Sequence, residues 1–120
     1  MARDLVTPVV IAEDSGVNYL AGAVAINTTN GAKIPYDKNG KLLLIIANTN
    51  GSNRVATVKA STADFAYKKG QGDLAVTVAA TTGVQVIGEL SQARFLQADG
   101  YLYVDFGASM TGTITAIKLL

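Results

Sequence analysis

Asn-Gly and Asp-Gly steps punctuate this chain at residues 30–31, 39–40, 50–51 and 99–100, each between apolar segments. Such pairs supply positive φ at both central positions of a type I′ turn cheaply, which makes them the strongest short-range signal for a β-hairpin. Lys69-Gly70-Gln71-Gly72-Asp73 and Thr81-Thr82-Gly83 are further breaks. Segments this short leave no room for long helices. Between them Val, Ile and Thr dominate, which suit a pleated, half-buried surface. The spacing of run, turn and run predicts a β-sandwich or barrel.

The candidate strands, of which the fold should use roughly nine or ten, are Val9 to Ala12, Asn18 to Ile26, Lys33 to Tyr36, Lys41 to Asn48, Arg54 to Ala60, Phe65 to Tyr67, Leu74 to Val78, Val84 to Leu90, Ala93 to Gln97, Tyr101 to Phe106 and Thr113 to Leu119. Leu74, Val76 and Val78 alternate with smaller residues in a period of two. Pro35 cannot donate to a ladder, which places its strand at an edge. The unbroken run from Leu42 to Ala47 reads as a strand buried on both faces. Ser61 to Phe65 is the one stretch with helical character. The fold expected is a single all-β domain over residues 1–120, an antiparallel sandwich or jelly roll of nine or ten short strands. Met1 to Pro8, mixed in charge, reads either as an arm that orders on a partner or as a frayed terminus.

With 120 residues the chain can bury roughly two-thirds of its unfolded surface, enough for a core without staples. Cys, His and Trp are absent. No disulfide, zinc-thiolate site or histidine base is therefore available. The net charge is +1, and no basic run is longer than Lys68-Lys69, so the counterion-displacing stripe of a nucleic-acid binder is missing. No apolar run approaches the length of a membrane span, and no secretory h-region follows the N-terminus, so synthesis in the cytosol is expected. Apolar residues make up 49% and charged residues only 16%, below the roughly 25% charged that is usual. Either Thr and Asn cover a weakly charged surface, or part of an apolar surface meets other subunits.

Motifs for chemistry are not evident. There is no Gly-x-Ser-x-Gly elbow, and Gly70-x-Gly72 lacks the third glycine of a dinucleotide fingerprint. No cofactor and no metal site are expected. Glu89 and Asp105 alone among the carboxylates fall within expected strands. A glycosidase-like pair is conceivable there, but a salt bridge from one of them to Arg94 is the favoured reading. Tyr101 and Tyr103 share one face of their strand. They form a core-edge pair, a protein interface or a platform for a sugar.

One stretch carries a resemblance. It runs through Leu42-Leu43-Leu44-Ile45-Ile46-Ala47-Asn48-Thr49, Val55 to Ala60 and Gly70-Gln71-Gly72-Asp73-Leu74-Ala75-Val76-Thr77-Val78. It continues through Ser91 to Gly100 and Tyr101-Leu102-Tyr103-Val104-Asp105-Phe106, ending in Gly112 to Ile117. Over residues 40 to 119 this ordering resembles the head decoration, or capsid cement, proteins of tailed phages. The resemblance implies a non-enzymatic virion protein that binds the major capsid protein on the outside of an expanded shell, as a homotrimer at local threefold positions. It implies no catalytic residues. Only a framework carries over: the turn at Asp99-Gly100, the strand Tyr101 to Phe106 and the loop Gly70 to Asp73. The interface residues suggested by the sequence are Tyr101, Tyr103, Arg94 and Glu89. A carbohydrate- or receptor-binding module of a phage fibre or tail is the alternative.

Overall fold

A computed structural model describes residues 3–36, 41–88 and 90–119. Among the described residues ten strands form two mixed sheets stacked as an all-β sandwich. In chain order they are β1 (Asp4–Leu5), β2 (Val9–Ile11), β3 (Val24–Ala25), β4 (Ala32–Pro35), β5 (Lys41–Asn48), β6 (Arg54–Val58), β7 (Leu74–Val78), β8 (Gly83–Ile87), β9 (Tyr101–Phe106) and β10 (Gly112–Leu119). The first sheet has the order β1-β4-β9-β6-β7, and the second β2-β10-β5-β8, with β3 on the start of β10. Three residues separate β1 from β2 and four separate β7 from β8, so each lateral side of the sandwich is closed by a short covalent crossing between sheets.

The core is where strand periodicity converges. Ile34, Ala56, Val58, Val78, Leu102, Val104 and Phe106 point inward from the first sheet and meet Leu42, Leu44, Ile46, Ile87, Ile114 and Ala116 from the second. Each fully buried aliphatic side chain contributes about 1.5–3 kcal/mol. Val6, Leu90, Phe95 and Met110 are at most 3% exposed and plug the ends.

Several expectations are corrected. The sheets are not purely antiparallel, because β1 pairs β4 and β2 pairs β10 in parallel. β5 is buried on one face only: Leu42, Leu44, Ile46 and Asn48 are buried, while Leu43, Ile45 and Ala47 are half-exposed. β4 is not an edge strand. β1 covers only its Ala32 and Lys33, which leaves Pro35 beyond the end of that pairing, where a missing donor costs nothing. The described part of the N-terminal segment is docked rather than free. Asp4 and Val6 donate backbone bonds to Gly31 and Lys33, and Val6 is fully buried.

Local chemistry also overrides three expected strands. Asn18 Oδ1 accepts from the Leu20 amide, 3.1 Å, and starts a 3₁₀ turn at Tyr19–Gly22, so only Val24–Ala25 remains extended. Ser91 Oγ accepts from the Ala93 amide, and its carbonyl accepts from Arg94 and Phe95, which winds Gln92–Phe95 into one helical turn, α1. Residues 61–68 are neither the expected helix nor a strand. They form successive turns in which Ser61 Oγ accepts from Ala63 and the small Ala63 and Ala66 are buried.

The turn dipeptides mark turns but not hairpins. Asn30-Gly31 and Asn50-Gly51 each link strands of different sheets, Asp99-Gly100 links α1 to β9, and Asn39-Gly40 lies outside the described residues. Gly31 has φ +70°, and a Cβ there would come within 2.6 Å of the Arg3 guanidinium and 2.8 Å of the Val104 carbonyl. The glycine is required for close packing as much as for its dihedral.

Candidate functional site

The two outer faces of the sandwich differ in kind. On the first sheet, Tyr101 and Tyr103 do point outward together, but both are already occupied by cations of this chain. The Lys33 ammonium lies 4.7 Å from the Tyr101 ring centre, and the Arg3 guanidinium 4.4 Å from that of Tyr103. Contacts of this kind contribute about 0.5–1 kcal/mol at exposed sites. Arg3 also bonds Asp105 Oδ1 at 2.6 Å and the Val104 carbonyl at 3.1 Å. The Tyr103 hydroxyl donates to Asp99 Oδ2, and Asp99 Oδ1 accepts from the Tyr101 amide. The Asp99 carboxylate, through that hydrogen bond, raises the Tyr103 titration above its ordinary value. Cross-strand pairs, charge and aromatic faces thus satisfy one another, and the face behaves as a closed polar lattice.

Arg94 has a different role from the one expected. Its Nε donates to the Gly72 carbonyl at 2.9 Å and its Nη2 to that of Asp73 at 3.3 Å, while the guanidinium lies 4.8 Å from the Phe95 ring centre. It clamps the loop that leads into β7. Asp105 pairs with Arg3 instead of Arg94, and Glu89 lies outside the described residues. Beside the clamp, Lys59 Nζ meets Asp73 Oδ2 at 2.6 Å and the Ala60 amide donates to Asp73 Oδ1 at 2.7 Å. The Lys59 bond and then the Ala60 bond hold the Asp73 carboxyl below its ordinary titration, and the Asp73 bond raises Lys59.

The second sheet presents the opposite surface. Register puts Leu43 beside Ile117, Ile45 beside Thr115 and Val86, Ala47 beside Thr113 and Val84, and Val9 beside Ile117 on the face turned away from the core. The 3₁₀ turn at Tyr19–Gly22 packs on the β2–β10 part of that face, where Gly22 lies against the Val9 side chain and Thr115 is fully buried, so the open part is the β5–β8 side. Val84 and Val86 are 51% and 60% exposed. Lys41, at the end of β5, is a charged residue on that face. Leu43, Ile45 and Ala47 beside the two valines are half-buried, so the exposed apolar area is centred on β8; apolar residues grouped in this way mark interaction sites more often than scattered single ones do. Sequence reasoning missed this surface because it assigned both faces of β5 to the core.

Two concavities accompany the faces. A cleft of about 420 Å³ is lined by Phe65, Tyr67, Ser91 and Ala93. Phe65 is 57% exposed and Tyr67 81%. A groove of about 260 Å³ lies among Thr7, Pro8, Val10, Pro35, Tyr36 and Lys118 on the lateral side formed by β1 and β2. The groups with displaced titrations, Lys59, Asp73 and Tyr103, line neither. Among the described residues no group of three or more acidic side chains is placed to hold a metal ion.

At the end of the sandwich Asn48 is an unforeseen organiser. It is 1% exposed, and its Nδ2 donates to the carbonyls of Ser52 (3.0 Å), Val78 (3.1 Å) and Ala79 (3.2 Å), while Oδ1 accepts from the Asn50 amide. It stands opposite Gly112 on one side and Gly83 on the other. A signal existed in the sequence: an amide closing an otherwise apolar strand. No protein-family model, curated protein or solved structure matches this chain.

Proposed function

We propose that this protein is a structural module that coats the outer surface of a phage capsid and strengthens it, with the major capsid protein as partner and self-association, as a homotrimer, on the particle. The observation that carries the reading is the two-faced sandwich. A closed polar lattice of Arg3, Lys33, Tyr101, Tyr103 and Asp105 suits the solvent side. The apolar surface of Leu43, Ile45, Ala47, Val84 and Val86, with Lys41 at its margin, suits a protein surface. The resemblance of residues 40 to 119 to decoration proteins supports the same role. Each copy needs only a modest apolar contact, because many copies share the load on a shell.

The test is co-sedimentation with expanded, undecorated tailed-phage shells, titrated to saturation. Saturable binding at a stoichiometry set by the local threefold positions is expected, and Ile45→Lys, checked for a native melting curve, should weaken it at least tenfold. Absence of binding to any shell form would overturn the reading.

The cleft beside Phe65 and Tyr67 favours a second reading, a glycan-binding module. Two exposed aromatic side chains beside the Ser91 hydroxyl suit a sugar ring better than the occupied Tyr101 and Tyr103 do. Binding on a glycan array that is lost in Tyr67→Ala would support it.

A further inference from the structure

We infer that two copies of this chain join edge to edge through β8, in antiparallel register about Gln85, so that the second sheets of both run into one continuous sheet. The argument begins with the four sheet edges. An exposed strand edge is a row of unpaired amides and carbonyls, and folded proteins blunt such edges with short strands, charge, proline or bulges. Two edges here are blunted: β1 is two residues long, and β2 is three residues long and preceded by Pro8. β7 is as long as β8 and as free of charge and proline, but its exposed residues, Ala75 and Thr77, are small or polar and offer a second copy little apolar surface.

β8 has none of these devices. It is five residues long, Gly83-Val84-Gln85-Val86-Ile87, with neither charge nor proline, and β5 is its partner on one side. Among the described residues no other strand pairs with it. Its Val84 and Val86 side chains are 51% and 60% exposed on the outer face, beside that edge.

The occupant follows from the strand's own symmetry. With Gln85 opposite Gln85 of a second copy, each Val84 stands beside the other copy's Val86 on the outer face. Aliphatic pairs so placed stabilise a sheet. The two Gln85 amides can bond each other, and no like charges meet. A self-complementary patch of this kind is what a twofold contact requires. The pairing also extends the apolar outer face of β5 and β8 across both copies, which doubles the surface for any flat partner. It does not rest on the shell reading.

The test is sedimentation velocity of the whole purified chain over a hundredfold concentration range, with hydrogen exchange at both ends of the range. A monomer–dimer equilibrium is expected, with the amides of residues 83–87 gaining protection as dimer forms. Val86→Lys and Val84→Pro should each weaken the dimer at least tenfold, since the alternation of the β5–β8 ladder turns the Val84 and Val86 amides, and not that of Gln85, to the open edge. Val10→Lys, a comparable exposed valine on the opposite lateral side, should leave it unchanged. Should one β8 variant misfold by far-UV circular dichroism, the other and the wild-type exchange pattern still decide. A monomer throughout, a dimer unaffected by both β8 variants, or protection of residues 83–87 only on adding capsid shells would overturn self-pairing. Failure to bind shells would leave it standing.

Discussion

Replacing Asn48 tests whether the end of the sandwich is held by one side chain. In Asn48→Ala the Val78 carbonyl, whose bond is the fully buried one, keeps the Arg54 amide opposite it in the ladder but loses its second donor. Losing that bond costs about 1–1.5 kcal/mol. The carbonyls of Ser52 and Ala79 and the Asn50 amide are only part-buried. Water can reach them, so each loss is closer to the net value of one bond, about 0.5–1 kcal/mol. The sum is about 3 kcal/mol, near 10 °C in melting temperature for a domain of this size. Asn48→Asp should be worse at pH 7, since carboxylate oxygens then face three carbonyls. Burial and those carbonyls raise the folded-state pKa of the new acid above its unfolded value near 3.9. The penalty is therefore greatest above the raised pKa and shrinks as pH falls toward the unfolded value. Urea unfolding at 25 °C, read as a change in midpoint at constant slope, measures both variants. A loss below 1 kcal/mol in Asn48→Ala, or an Asp variant no worse than Ala at pH 7, would refute the reasoning.

Three further outcomes are expected. Tyr103→Phe should remove a component that titrates above the ordinary tyrosine range from an absorbance titration, because the Asp99 bond favours the neutral phenol; the matching stability difference, under about 1 kcal/mol, is present below the unfolded tyrosine pKa and lost as pH rises through the raised one. Asp73→Asn should cost less than about 1 kcal/mol at pH 7, since both partners are 37% exposed; the difference from wild type, followed by urea unfolding against pH, should close as pH falls through the depressed Asp73 titration. Gly31→Ala should lower stability by about 2 kcal/mol or more in thermal melts, because the added methyl meets Arg3 and Val104 at a positive φ.

Much of the secondary structure was legible because strand formation follows from local composition. β5, β9 and β10 match the expected runs closely, and the outward pairing of Tyr101 with Tyr103 needed only the two-residue period. Elements that hinge on a single hydrogen bond were not legible. A four-residue helix begun by Ser91 and a 3₁₀ turn begun by Asn18 look like strands to any count of β-formers. The candidate site was harder to read. Arg3 reaches Asp105 across a separation of 102 residues, and no local pattern announces that the aromatic face is closed by it.

The sequence by itself determined that the chain is an all-β domain, where most strands begin and end, and that no cysteine or histidine chemistry is open to it. Those properties depend on residue type and on period. Only the tertiary structure decided that Asn-Gly turns carry the chain between sheets instead of closing hairpins. It likewise decided that β1 pairs β4 and β2 pairs β10 in parallel, and that the apolar surface lies on Leu43, Ile45 and Val86 rather than on the tyrosines. The physical reason is that a strand's two faces are chemically equivalent until another sheet covers one of them. Which face is covered is settled by contacts between residues far apart in the chain.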